Sequence, residues 1–99
     1  MADKSLNIRR MVLDVDKAFK MPSLIEIAAA IQRCGGVTAN NIVVTEIDQQ
    51  TIGTVITIEG EELDYDEIVK AIEESGAVVH SLDQIACGDY VLEPVERSR

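Results

Sequence analysis

The sequence has almost no aromatic residues. Phe19, Tyr65 and Tyr90 are the only ones among 99 residues, and tryptophan is absent. Ferredoxin-like domains that bind RNA stack bases on aromatic side chains of their central strands. The apolar stretch over 54–59 contains no aromatic residue. The sequence therefore argues against recognition of RNA by base stacking.

Basic residues are also scarce and scattered along the chain. Nine Lys and Arg face eighteen Asp and Glu, which gives a net charge of −9. The nearest approach to a basic patch is Arg9-Arg10, which we interpret as a solvated strand end. Phosphates supply most of the affinity for nucleic acids, and anionic lipids attract basic segments. We therefore expect neither nucleic acid nor a membrane surface as a partner.

Cysteine is rare, and long apolar runs are missing as well. Cys34 and Cys87 are too few and too far apart for a disulfide framework or a Cys-x-x-Cys metal site. We expect two reduced thiols, although one long-range disulfide also fits the sequence. No apolar run reaches the ~18–20 residues of a membrane span, and no signal-peptide core follows Met1. We therefore expect a cytoplasmic protein.

Regular hydrophobic patterns fill the rest of the chain, of which 46% is hydrophobic. Alternating apolar and polar residues predict four strands, over 8–16, 41–48, 52–60 and 77–86. Two helices lie between them, each opened by a capping box, Ser23 with Glu26 and Asp64 with Glu67. Glycines after each helix are typical of helix ends.

This order of elements, β-α-β-β-α-β, predicts one α+β domain. Right-handed crossovers applied to it give a ferredoxin-like two-layer sandwich with antiparallel sheet order 4-1-3-2 and both helices on one face. The domain covers residues 8–89, after a flexible N-terminus over 1–7. Residues 90–99 are either a loose C-terminal tail or a segment in which Tyr90–Val95 extends a sheet edge or pairs with a neighbouring subunit.

One face of such a sheet has no helices, and here it is not very polar. We expect Val12 and Val55 on this open face, beside Thr57. The second and fourth strands are apolar on both sides. Small monomers rarely leave such surfaces in water. We therefore expect a homo-oligomer whose copies cover the open face or the sheet edges.

Acidic residues gather at one end of the predicted sheet. Asp14 and Asp16 end the first strand, and Glu46 and Asp48 precede the hairpin. Oxygen-rich clusters suit Ca²⁺ or Mg²⁺. These four residues are either a divalent metal site or a solvated acidic rim, and Lys17 is expected in the loop beside them.

The single histidine lies in a short polar stretch of the fourth strand, with Ser81 and Asp83 close to His80. We expect Ser81 to point away from His80, and no oxyanion loop is recognisable, so a catalytic triad is not predicted. A hydrogen-bonded histidine at a buried or intersubunit position is the preferred interpretation, over a ligand or an acid–base group.

Several segments together resemble the DUF211 family, a set of small, mainly archaeal proteins of unknown function. They are Met11–Lys17, Val43–Asp48, Ile56–Gly60, Leu63–Ile68 and Val79–Ile85. The resemblance implies a ferredoxin-like fold, assembly into homo-oligomers that include rings, and divalent cations such as calcium as bound ligands. One segment departs from the family, because Ala18–Pro22 replaces its Pro-His-Glu-Pro and so lacks a loop histidine and glutamate.

These observations lead to one main hypothesis and one alternative. The main hypothesis is a non-enzymatic, self-assembling domain that binds Ca²⁺ or Mg²⁺ through the acidic end of the sheet, with no other cofactor. The alternative is a small-molecule sensor similar to ACT domains, which bind a ligand between subunits.

Overall fold

The computed structural model describes residues 6–95, so parts of the predicted N-terminal and C-terminal segments lie outside the described residues. Its elements are β1 (Ile8–Ala18), α1 (Leu24–Gln32), β2 (Val37–Ile47), β3 (Thr51–Gly60), α2 (Tyr65–Ser75) and β4 (Val78–Cys87). The strands form one antiparallel sheet in the order β2-β3-β1-β4. This confirms the predicted ferredoxin-like α+β fold.

The core lies between the sheet and the two helices. Side chains of a strand alternate between faces, so every second residue of β1 and β3 turns inward. The fully buried apolar side chains of the core come from strands and helices and include Met11, Leu13, Val15, Ile27, Ile31, Ile56, Ile58, Ile68 and Ile72. The opposite face of the sheet stays free of helices and contains the candidate site.

The two helices begin with capping interactions of different kinds. At α1 the Ser23 hydroxyl accepts the Glu26 N–H at 3.1 Å, and the Glu26 carboxylate accepts the Ser23 N–H at 3.0 Å. Hydrogen bonds to its carboxylate from the Ser23 backbone N–H, and then from the Ser23 side chain, lower the pKa of Glu26. At α2, Asp64 accepts the Glu67 N–H, but the Glu67 carboxylate accepts the N–H of Gly35 at 3.4 Å. The reciprocal half of the second predicted box is therefore replaced by a contact between the two helix ends.

Strand β4 contains two irregularities, which decide where its polar side chains point. Its pairing with β1 skips His80 and Asp83, so each is an extra residue in a bulge. Because a bulge shifts the alternation of faces, Ser81 lies opposite Asp14 while His80 contacts Asp16. His80 and Ser81 therefore share the open face, and the expectation that they point apart was wrong.

Both cysteines are free, in agreement with the expected reduced thiols. Cys34 is buried, and this burial raises the pKa of its thiol, with the nearby Glu67 carboxylate adding to the effect. Among residues 6–95, no helix is long and apolar enough to cross a membrane.

Candidate functional site

The open face is apolar in its middle and polar at one end. Val12 lies opposite Thr57, and Val55 lies opposite Asp14. All four are partly buried within the chain. The predicted placement of Val12, Val55 and Thr57 on this face is confirmed by the strand register.

Three of the four predicted metal-ligating residues line one concave pocket, which we call the acidic pocket (Asp16, Glu46 and Asp48). Its volume is about 270 Å³, and Gly53 of β3 lies between Asp16 on β1 and Glu46 on β2. A Cβ on Gly53 would be 3.5 Å from Asp16 Oδ1 and 3.4 Å from Glu46 Cβ. The missing side chain at Gly53 thus leaves the space between the two acidic residues open.

The fourth predicted residue, Asp14, lies outside this pocket. It is on the same face as Asp16 but one pleat further along β1, opposite Val55 and Ser81. Asp48 Oδ1 accepts the N–H of Gln49 at 2.7 Å. Within residues 6–95, no three His, Cys, Asp or Glu side chains already converge in a geometry that would hold a metal ion.

The remaining candidates on β4 form two separate pairs. His80 Nε2 lies 2.8 Å from Asp16 Oδ2, and the His80 side chain is 59% exposed. Ser81 Oγ donates to Asp83 Oδ1 at 2.7 Å. His80 therefore lies in close polar contact with the Asp16 carboxylate but faces solvent within the single chain. Because His80 is directed at Asp16 and Ser81 at Asp83, the arrangement is not that of a nucleophile with its base.

Lys17 lies apart from all of these groups. It belongs to β1, is only 6% exposed, and faces the helices because it follows Met11, Leu13 and Val15 in the alternation. Its Nζ donates to the carbonyl oxygens of Ala18 at 2.8 Å and Phe19 at 3.1 Å. The prediction that Lys17 lies in the loop beside the acidic residues was wrong, since β1 continues to Ala18.

Apolar side chains are exposed on both edge strands of the sheet. They are Val43, Val44 and Ile47 on β2 and Val78, Leu82 and Ile85 on β4. Ile47 is 69% exposed and Val78 is 56% exposed. The stretch Val37–Thr45 of β2 contains no charged residue. The two strands predicted to be apolar on both sides are thus the two edge strands of one sheet, and both expose apolar side chains.

A short segment after β4, the C-terminal arm (Asp89–Val95), crosses back toward β1. At its start, Asn7 Nδ2 donates to the Gly88 carbonyl at 3.1 Å. Further along, Arg10 pairs with Glu93 at 3.0 Å and with Glu59 at 2.7 Å. Hydrogen bonds to Glu93 and then Glu59 raise the pKa of Arg10. Arg10 is therefore an anchor for the arm, and its interpretation as a solvated strand end was wrong.

Comparisons with known proteins identify a family and assign no activity. The profile of the DUF211 family, described as uncharacterized ArCR proteins, matches residues 9–99. An uncharacterized protein of Methanocaldococcus jannaschii is 39% identical over 88 residues, which cover 89% of this chain and 90% of that protein. The family match over residues 9–99 spans nearly the whole domain, and this range contains both edge strands and the acidic pocket. The chain belongs to the DUF211 family.

Proposed function

We propose that this chain is a non-enzymatic, self-assembling domain whose copies associate through the edges of their sheets. The supporting observation is that both edge strands expose large apolar side chains, such as Ile47 on β2 and Val78 on β4. An edge strand also presents unpaired backbone N–H and C=O groups, which are a template for pairing with another chain. Pairing with other copies would bury the apolar side chains and satisfy the unpaired backbone groups in the same contact.

The direction of the edge strands favours a head-to-tail arrangement. β2 runs parallel to β1 and β4 runs antiparallel to it, so the two edges point in opposite directions. Pairing β2 of one copy with β4 of the next therefore continues an antiparallel sheet and keeps all helices on one side. Such a heterologous contact forms a ring when the rotation between copies closes.

Lysine substitutions at the two edges test this proposal. We expect Val44→Lys on β2 and Leu82→Lys on β4 each to give monomers, because a buried charge opposes the contact. The Val44→Lys variant retains an intact β4 edge and the Leu82→Lys variant an intact β2 edge. A mixture of the two should therefore form one contact only and give dimers. Ile25→Lys is the matched control, because Ile25 is 80% exposed on α1 and belongs to neither edge strand. Native mass spectrometry measures the assembly size of each sample.

Other results of this experiment contradict the proposal in distinct ways. A wild-type protein that is monomeric at all concentrations would remove self-assembly altogether. If Leu82→Lys assembles like the wild type while Val44→Lys does not, the contact joins two β2 edges by a twofold axis instead.

A second proposed function is the binding of Ca²⁺ or Mg²⁺ in the acidic pocket. The pocket brings together Asp16, Glu46 and Asp48 on three neighbouring segments, with open space above Gly53. Carboxylate oxygens are the ligands that these cations prefer. A cation there has to compete with His80 for the Asp16 carboxylate. Water molecules and Asp14, one pleat away, would complete its coordination.

Thermal unfolding with added CaCl₂ or MgCl₂ tests this second proposal. A cation at a hundredfold excess over its Kd stabilises the folded state by about 2.7 kcal/mol. We expect the shift in the wild type and its loss in Glu46→Gln and Asp48→Asn, while Glu73→Gln on α2 retains it as a matched control. A shift with amino acids but not with cations would favour the small-molecule sensor instead.

A further inference from the structure

We infer that the C-terminal arm forms part of the contact between copies, where it seats the β2 strand of a second copy; this inference rests on the proposed self-assembly. The arm lies beside the end of β4, one of the two proposed contact edges. A copy that pairs with β4 therefore meets the arm as well as the strand.

The size of an edge contact shows why a flanking element is needed. β2 has 11 residues, and at about 3.3 Å per residue and a layer thickness of ~10 Å its edge covers roughly 360 Å². Two copies would bury roughly 720 Å² in all by strand pairing alone. Stable specific interfaces usually bury about 1,200–2,000 Å². Strand pairing thus provides about half of the required area, and neighbouring surface has to provide the rest.

The arm supplies apolar surface in the right place. A pocket of about 280 Å³ lies between the arm and the end of β4. Its apolar lining residues are Ile85, Ala86, Leu92, Pro94 and Val95. The charged residues at its border, Arg10 and Glu93, are paired with each other. The pocket therefore suits an uncharged, largely apolar segment.

The first half of β2 from a second copy matches the pocket in charge, because Val37–Asn41 is uncharged and contributes Val37 and Ala39 as apolar side chains. In the antiparallel pairing of β4 with the next β2, the end of β4 at Cys87 lies beside the start of that β2 at Val37. Val37–Thr45 is uncharged in a chain whose net charge is −9. The exposed face of α2, by contrast, carries Glu73 and Glu74. A neutral pocket and a neutral strand meet without the repulsion that two acidic surfaces would experience.

The anchor at Arg10 holds the arm in position before a second copy binds. Arg10 is fixed by Glu59 on the sheet at 2.7 Å, and it holds Glu93 of the arm at 3.0 Å. A segment that is already ordered loses less conformational entropy on binding, so the contact becomes tighter. The ion pairs therefore strengthen assembly although they lie outside the strand pairing itself.

Two arm variants test this inference in the full-length protein. Leu92→Asp places a charge on exposed apolar surface of the arm, and Glu93→Arg repels the arm from Arg10. Glu73→Arg on α2 is the matched control for the charge change. Sedimentation velocity measures the dissociation constant for assembly, which we expect to rise on the order of tenfold in both arm variants and to stay unchanged in the control.

The outcomes separate the inference from the proposed function. If the wild type assembles and both arm variants assemble with the same dissociation constant as the control, the arm lies outside the contact and only this inference is overturned. If the wild type remains a monomer at every concentration, the proposed function fails and the inference fails with it. Circular dichroism of the variants verifies that each is folded.

Discussion

Two glycines of β3 lead to opposite predictions for the same substitution. A Cβ on Gly60 would lie 1.9 Å from the carbonyl oxygen of Gly36 and 3.0 Å from Leu63 Cδ2. A Cβ on Gly53 would meet its nearest neighbours at 3.4 and 3.5 Å, which is ordinary contact. Gly60→Ala therefore requires a backbone shift where the end of β3 meets the start of β2, and Gly53→Ala requires none.

The size of the difference follows from the local contacts. Relief of the clash at Gly60 disturbs its pairing with Val37 and the bond from the Glu61 N–H to the Gly36 carbonyl, 3.0 Å long. Overpacking costs about 1–3 kcal/mol, and a lost hydrogen bond costs about 1 kcal/mol more. At Gly53 the reduced entropy of the unfolded chain stabilises by ~0.4–1 kcal/mol. We expect the two variants to differ by about 2–5 kcal/mol.

Urea unfolding followed by circular dichroism measures this difference directly. A difference of this size corresponds to a separation in Tm of roughly 10 °C or more for a domain of this length. Equal unfolding free energies for Gly53→Ala and Gly60→Ala would refute the packing argument. Gly53→Ala also narrows the acidic pocket, so we expect it to weaken any cation-induced thermal shift while the fold is retained.

The remaining predictions concern the core, the first helix cap and the exposed ion pair. Ile72→Ala should destabilise the chain by about 2–5 kcal/mol in urea unfolding, because Ile72 is fully buried. Ser23→Ala should raise the pKa of Glu26 only partly, measured by NMR titration, because the larger lowering comes from the backbone N–H of residue 23, which alanine retains, and only the side-chain hydrogen bond is lost. The folded pKa of Glu26 lies below the ordinary 4.5, so the ionised carboxylate stabilises the folded chain above pH 4.5, and this stabilisation is lost as the pH falls. Glu26→Gln should therefore reduce the acid sensitivity of unfolding. His80→Gln should change the unfolding free energy by less than about 1 kcal/mol, because its pair with Asp16 is largely exposed.

Much of the candidate site was predictable because its residues end neighbouring strands. Asp14, Asp16, Glu46 and Asp48 were expected together from the order of the elements, and the structure places all but Asp14 around one pocket. The position of Lys17 was not predictable in this way. Its inward orientation depends on the pairing of β1 with β3 out to Ala18 and Thr51, which no local pattern marks.

The sequence by itself determined the elements and their order, because helix caps, the alternation of apolar residues and the direction of crossovers act over short distances. Only the tertiary structure decided which polar groups meet. The bulges of β4 arise from its fit against β1, and they bring His80 and Ser81 to one face. The pairing of Arg10 with Glu93 joins residues 83 positions apart, so it exists only after the sheet has formed and the arm has crossed it.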